Sequence, residues 1–293
     1  MIFTVNLFNR AIIALTGAAC IVRCDASDSR VRNENVGQWT AWSRKWDNDW
    51  DRRHPVHGTE TVKDNNKKTI HFILIRHGQY NLKGDKGLTS LGREQAGLTG
   101  QRLADLGKSA IKDFYGNRKI KISRLYHSDV KRAKDTAAII ATYLDPEVAI
   151  VEDSMLAEGW PCVPDPYKNV EDIRPSSVYS ESARIEAAFR KYIRRVTDFK
   201  KIKPIEEGTN HGESKEQDAD NSETEEEYVI IVCHQNVIRY FVCRALQLPP
   251  EAWLRFRGSN CGITEIIISD DGRVSLEKFA DVGHLPVNNH TFH

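Results

Sequence analysis

One short stretch narrows the possible folds of this chain more than any other. His71-Phe72-Ile73-Leu74-Ile75 is followed without a break by Arg76, His77 and Gly78. A short apolar run bounded by a glycine reads as a buried strand. The charged and titratable residues therefore stand where that strand ends. In open α/β sheets ligands bind at the carboxyl ends of the strands, so the placement alone points to a site.

The pattern recurs. Tyr228–Cys233 is a second apolar run, and it too ends in a histidine, His234. Lys119–Tyr126 reads as a third strand, leading through His127 and Ser128 to Arg132 at the start of a helix. Helices are expected at Thr89–Leu106, where Leu91, Gln95, Leu98, Arg102 and Leu103 recur and Gly107 follows the end. Further helices are expected at Val130–Tyr143, around Ile185, Ala188, Phe189 and Tyr192, and at Asn236–Leu248. Ala149–Val151 reads as a short strand, and Glu158–Tyr179 as a long irregular loop. Gly262–Ile268 and Arg273–Phe279 read as a hairpin across Asp270-Asp271-Gly272. Strands alternating with helices argue for a three-layer α/β/α sandwich with a mostly parallel central sheet.

Length sets the organisation. The 293 residues suit one large domain with appendages, or two small ones. Residues 1–24 contain no acidic residue, and Arg10 and Arg23 bracket the apolar run AIIALTGAACIV. That run is shorter than the roughly 20 residues a membrane-spanning helix needs. A secretory signal, a mitochondrial targeting segment and a short membrane anchor all fit it. Residues 25–68 form a polar linker, except that Trp39, Trp42, Trp46 and Trp50 recur at helical spacing. Four indoles need burial, either as a strap on their own domain or against a second chain. The globular domain is expected over 69–282, with 205–227 as an acidic, disordered insertion and 283–293 as a tail. A net charge of +1 gives no field that would attract nucleic acid. The six cysteines show no C-x-x-C spacing, which argues against a zinc site or a disulfide framework.

If the three strand ends are neighbours, they gather two imidazoles, two guanidinium groups and helix N-termini. That set suits a phosphate. Arginine binds phosphate oxygens bidentately, helix N-termini supply N–H groups and positive dipole ends, and histidine can form a covalent intermediate. Expulsion of an alkoxide also needs a proton donor. Glu158, in Leu156-Ala157-Glu158-Gly159, is the candidate.

LIRHGQY, LTSLGREQAGLTGQRLA, HSDVKRAKDTA, LAEG and CHQNVIRY, in that order between Ile70 and Phe279, resemble the motifs of the histidine phosphatase superfamily, with its phosphoglycerate-mutase-like fold. The resemblance implies His77 as the nucleophile that becomes phosphohistidine. It implies Arg76, Arg132 and His234 as the phosphate pocket, and Glu158 as the donor to the leaving group and then the base for water. It implies no metal and no cofactor. WDNDWDRRHP (residues 46–55), ARIEAAFRKYIRR and CHQNVIRYFVCRALQLPPEAWLR resemble the mitochondrial serine/threonine protein phosphatases of this superfamily. From them follow the expectations of phosphoprotein substrates and a mitochondrial membrane location through residues 1–24. Homo-oligomer assembly and activation are expected through Trp46, Asp47, Trp50, Asp51 and Arg52. Asp49 replaces the asparagine usual in that motif, and Asn48 replaces a proline. A small-molecule phosphatase or mutase of the same fold, and a membrane-tethered scaffold, are the competing functions. Lys168 and Arg174 are the only bases of the 158–179 loop, few for the second anionic group of a mutase substrate.

Overall fold

A computed structural model describes residues 45–53, 69–108, 110–113, 116–166, 175–195, 225–269 and 271–292. Residues 1–24, most of the linker (Trp39 and Trp42 included) and 205–224 of the expected insertion lie outside the described residues. Among the described residues no helix is long and apolar enough to cross a membrane.

In chain order the elements are β1 (Thr69–Arg76), α1 (Ser90–Lys108), β2 (Ala110–Asp113), β3 (Gly116–His127), α2 (Lys131–Ala141), β4 (Ala149–Glu152), α3 (Pro175–Tyr192), β5 (Glu225–Cys233), α4 (Gln235–Ala245), β6 (Ile263–Ser269) and β7 (Val274–Asp281). They build one seven-stranded sheet in the order β2-β3-β5-β1-β6-β7, with β4 also paired to β3. The strands β4, β3, β5 and β1 run parallel, while β2, β6 and β7 join antiparallel. The sheet is thus parallel at its centre and mixed as a whole.

The apolar runs are continuous because both faces of the central strands are covered. Ile70, Phe72 and Leu74 of β1 join Val229 and Ile231 of β5 in a core with α3 and α4. Ile73 and Ile75 join Tyr228, Ile230 and Val232 in a second core with α1 and α2. Each fully buried Leu or Ile contributes about 1.5–3 kcal/mol, so the fixed register here is strongly favoured. That register sets Arg76 opposite Cys233, and His127 opposite Val232, so the three strands end level.

Several boundaries differ from expectation. Gly107 lies inside α1, which runs on to Lys108. The β2–β3 hairpin was not foreseen, and residues 175–179 of the expected loop are the first turn of α3. Residues 225–227, expected in the acidic insertion, begin β5 and pair with 119–121. Glu226 is buried because His71 needs it: the imidazole lies 3.3 Å from Glu226 and 2.8 Å from Glu265. Burial pushes the His71 pKa down, but the two carboxylates outweigh it and the net shift is upward.

The tryptophan segment is not helical where it is described. Asn48–Asp51 form a turn, and Arg52 follows in the left-handed region (φ 57°). This turn is sealed onto its own chain. The Trp50 indole donates to Gly272 O at 2.9 Å, and its ring lies 6.2 Å from that of Phe189. Asp51 pairs with Arg195 at 2.7 Å, with side-chain exposures of only 2% and 1%. Trp46 and Asp47 belong to a separate unit, residues 1–47, and sit in irregular chain. The expected tail also packs: Leu285 and Asn289 are buried.

Candidate active site

The site begins where β1 stops. The His77 backbone N–H donates to Cys233 O at 3.0 Å, carrying the β1–β5 pairing one residue past the strand, and Asn260 Nδ2 donates to His77 O at 3.0 Å. The side chain is only 2% exposed. Its Nδ1 lies 2.9 Å from Gly78 O, and Arg132 Nε donates to its Nε2 at 3.0 Å. A carbonyl only accepts and a guanidinium only donates. The ring proton is therefore on Nδ1, and Nε2 carries the lone pair. Burial, followed by the positive surroundings of His234, Arg76 and Arg132, holds the ring well below the usual histidine pKa. His77 is a neutral imidazole with one nucleophilic nitrogen.

Around it stand the donors. Arg76 Nη1 donates to Gly258 O at 2.9 Å and to Phe292 O at 3.3 Å. Its buried Nε has no hydrogen-bond partner among the described residues. Burial lowers its pKa to about 10, so it stays charged at neutral pH. Arg132, in the first turn of α2, stacks over the Tyr80 ring at 4.7 Å, and that ring meets His77 edge-on at 5.2 Å. His234 immediately precedes α4 and is fully buried. Its ring centre is 5.2 Å from that of His77, and its Nε2 lies 2.9 Å from Ser128 Oγ. Val130 N–H donates to the same hydroxyl, and the buried Nδ1 of His234 has no hydrogen-bond partner among the described residues. Burial and the charges of Arg132, Arg184 and Arg76 keep His234 neutral as well.

Glu158 follows β4 after one 3-10 turn, Ser154–Leu156. Burial raises its carboxyl pKa, against the opposing pull of the Gly159 N–H at 3.2 Å and of Arg132 and Arg76. A buried carboxyl whose pKa is raised in this way is suited to serve as an acid.

The structure thus brings Arg76, His77, Arg132, Glu158 and His234 to one end of the sheet. Trp50, Asp51 and Arg52, in the same unit, take no part in it. Gly78 packs tightly against α1. A Cβ there would sit 2.6 Å from Gly92 O, and one on Gly92 would sit 1.9 Å from Gln79 O. The two glycines let α1 press against the segment that follows the nucleophile. Other supports escaped the sequence reading. Thr136 Oγ1 accepts from Gly78 N at 3.0 Å and donates to Arg132 O at 2.7 Å, linking nucleophile to arginine. Thr291 donates to Asn260 at 2.9 Å, and Gln95 donates to Asn289 O and to Thr291 Oγ1. The polar GSN segment before the β6 hairpin was a usable signal for Asn260; the tail offered none. Among the described residues no group of three or more His, Cys, Asp or Glu side chains is arranged to hold a metal ion.

Comparison with known proteins agrees with this geometry. The histidine phosphatase superfamily (branch 1) matches residues 72–281. A rat protein named mitochondrial serine/threonine-protein phosphatase PGAM5 is 40% identical over 263 residues, covering 82% of this chain and 78% of its own. The protein of the same name from Caenorhabditis elegans is 37% identical over 266 residues, covering 85% and 81%. Among solved structures, a phosphoglycerate mutase from Plasmodium falciparum is 34% identical, with 75% of this chain and 96% of that chain covered at a TM-score of 0.46. The rat relative, at 40% identity over most of both chains, and the family match over most of this one leave one assignment: the chain belongs to the histidine phosphatase superfamily.

Proposed function

We propose that this chain is a phosphoprotein serine/threonine phosphatase that works through a phosphohistidine at His77. The observation that carries the reading is the single tautomer of a neutral His77, with Nε2 facing the Arg132 guanidinium. Arg132 occupies the lone pair that must attack. An entering phosphate would draw that donor onto its own oxygen and release Nε2. In the first step Nε2 attacks phosphorus, the bond to the leaving oxygen breaks, and Glu158 donates the proton that makes an alcohol. Arg76, Arg132, the His234 ring and the N-terminus of α4 neutralise the phosphoryl oxygens. In the second step the Glu158 carboxylate takes a proton from water, the oxygen attacks phosphorus, and His77 leaves with its Nδ1–H intact. Orthophosphate and the starting enzyme result.

The names of the similar proteins support a protein substrate and a mitochondrial setting. We extend the proposal to a membrane tether through residues 1–24 and to homo-oligomers built through Trp46, Asp47, Trp50, Asp51 and Arg52, whose described turn is anchored by Trp50 and Asp51. Turnover of a phosphothreonine peptide beside 3-phosphoglycerate tests the reading. Peptide hydrolysis with an acid-labile, base-stable phosphoenzyme that His77→Ala abolishes is the expected result. Turnover of the metabolite alone, or full activity in His77→Ala, would overturn it. Sedimentation of Trp46→Ala tests assembly: a smaller particle is expected, and an unchanged one removes the segment from the interface.

A further inference from the structure

Glu158 sits on a stretch with almost no regular structure of its own, yet a general acid must be held in place to work. The bonds that hold it come from α3. Arg184 Nη1 donates to Met155 O at 2.8 Å and to Ala157 O at 2.7 Å, and its Nη2 donates to Glu158 O at 3.1 Å. Glu181 lies three residues earlier, on the same face of the helix, and its carboxylate accepts from Trp160 N at 2.6 Å. Between these contacts, a Cβ on Gly159 would lie 2.8 Å from Arg184 Nη2 and 2.9 Å from Glu181 Oε2. The backbone on both sides of Glu158 is therefore seated against one turn of α3. From the other flank, α4 adds Asn236 Nδ2, which donates to Gly159 O at 3.2 Å.

We infer that Arg184, assisted by Glu181, is the positioning residue for the proton donor. One guanidinium takes three carbonyls that the short turn leaves without strand or helix partners. The planar fork does this at fixed angles, whereas a lysine ammonium is a point charge on a flexible stem. A displacement of about 1 Å at a reacting group can cost about a hundredfold in rate. Freeing residues 155–160 would thus harm proton donation before it harmed phosphate binding, because Arg76, His77, Arg132 and His234 are carried by other elements.

The inference rests on Glu158 being the acid, and leaving groups separate the two ideas. A phosphothreonine peptide expels an alkoxide and needs the proton. A p-nitrophenyl ester expels a stable phenolate and needs it little. The value of kcat/KM reports the steps up to the phosphohistidine for both substrates, so the alkyl-to-aryl ratio isolates proton donation. In Glu158→Gln this ratio should fall by about 10²–10⁴. In Arg184→Gln it should fall by about ten- to a hundredfold, with Arg184→Lys falling between that variant and the parent. Glu181→Gln, which keeps an acceptor for Trp160 N, should fall less than Glu181→Ala. The aryl ester doubles as the control for folding. An unchanged ratio in Glu158→Gln refutes the acid assignment itself. A normal fall there with an unchanged ratio in Arg184→Gln, including equal losses on both substrates, overturns the positioning role. So does an Arg184→Lys variant equal to the parent, since charge alone would then suffice.

Discussion

Replacing Asp51 by alanine tests whether the Trp-Asp turn is part of the catalytic unit or merely lies on it. Both partners of the Asp51–Arg195 pair are almost fully buried, at 2% and 1% side-chain exposure. The carboxylate accepts from the Arg195 backbone N–H at 3.0 Å, from Nε at 2.9 Å and from Nη2 at 2.7 Å. Nη2 has one further acceptor, Asn48 O at 2.6 Å, in the same turn. Alanine would leave a guanidinium buried without its counter-ion. Breaking such a pair costs about 3–5 kcal/mol, against about 5–15 kcal/mol for a whole domain. For a unit of this size each kcal/mol moves Tm by about 2–4 °C, so a fall of about 6–20 °C is expected by calorimetry. The double variant Asp51→Ala/Arg195→Met removes the stranded charge as well. It should therefore be more stable than Asp51→Ala alone. Arg195 outweighs burial and lowers the Asp51 pKa from 3.8. The pair's contribution is then complete above that pH and lost as pH falls through the lower folded value. A loss of under about 1 kcal/mol in Asp51→Ala, the range of an exposed pair, would refute the reasoning, as would a double variant no more stable than the single.

Gly92→Ala should cost stability and activity together, because its Cβ would fall 1.9 Å from Gln79 O; overpacking of about 1–3 kcal/mol in urea unfolding checks it. On phosphothreonine peptide, kcat/KM should keep its acid limb below pH 6.5, where the lowered His77 becomes protonated, and fall on an alkaline limb above pH 4.5, where the raised Glu158 ionises. That alkaline limb should vanish in Glu158→Gln. His71 faces Glu226 and Glu265, the latter also bonded to Lys278 at 2.8 Å, and its pKa is raised. The stability advantage of the parent over His71→Gln should be full below pH 6.5 and disappear as pH rises through the folded pKa, measured by urea unfolding across pH.

The centre of the fold was legible because parallel strands buried on both faces need unbroken apolar runs. The site was legible because polar residues cannot follow such a run into a core without a use. What escaped was decided by contacts distant in sequence. Glu225–Glu227 read as solvated acid, and only the buried His71 across the sheet explains Glu226. The spacing of the tryptophans reads as a helix, but at Asn48–Asp51, around Trp50, Arg195, 144 residues from Asp51, fixes a turn. The helix around Ile185 showed its apolar stripe; the value of Arg184 beside it lies in three carbonyls 26 to 29 residues earlier. Periodicity carries no record of such partners.

The level ends of β1 and β5 have a consequence for how this site can drift. His77 and His234 each follow a strand directly, and their rings stand 5.2 Å apart. That is close to the spacing of neighbouring strands, about 4.8 Å. The gap between the two imidazoles is thus a lattice constant of the sheet. Loops around the rim can lengthen, shorten or change composition without altering it. Deleting one residue inside β5 would instead turn every following side chain to the opposite face, and no adjustment at the rim could bring His234 back.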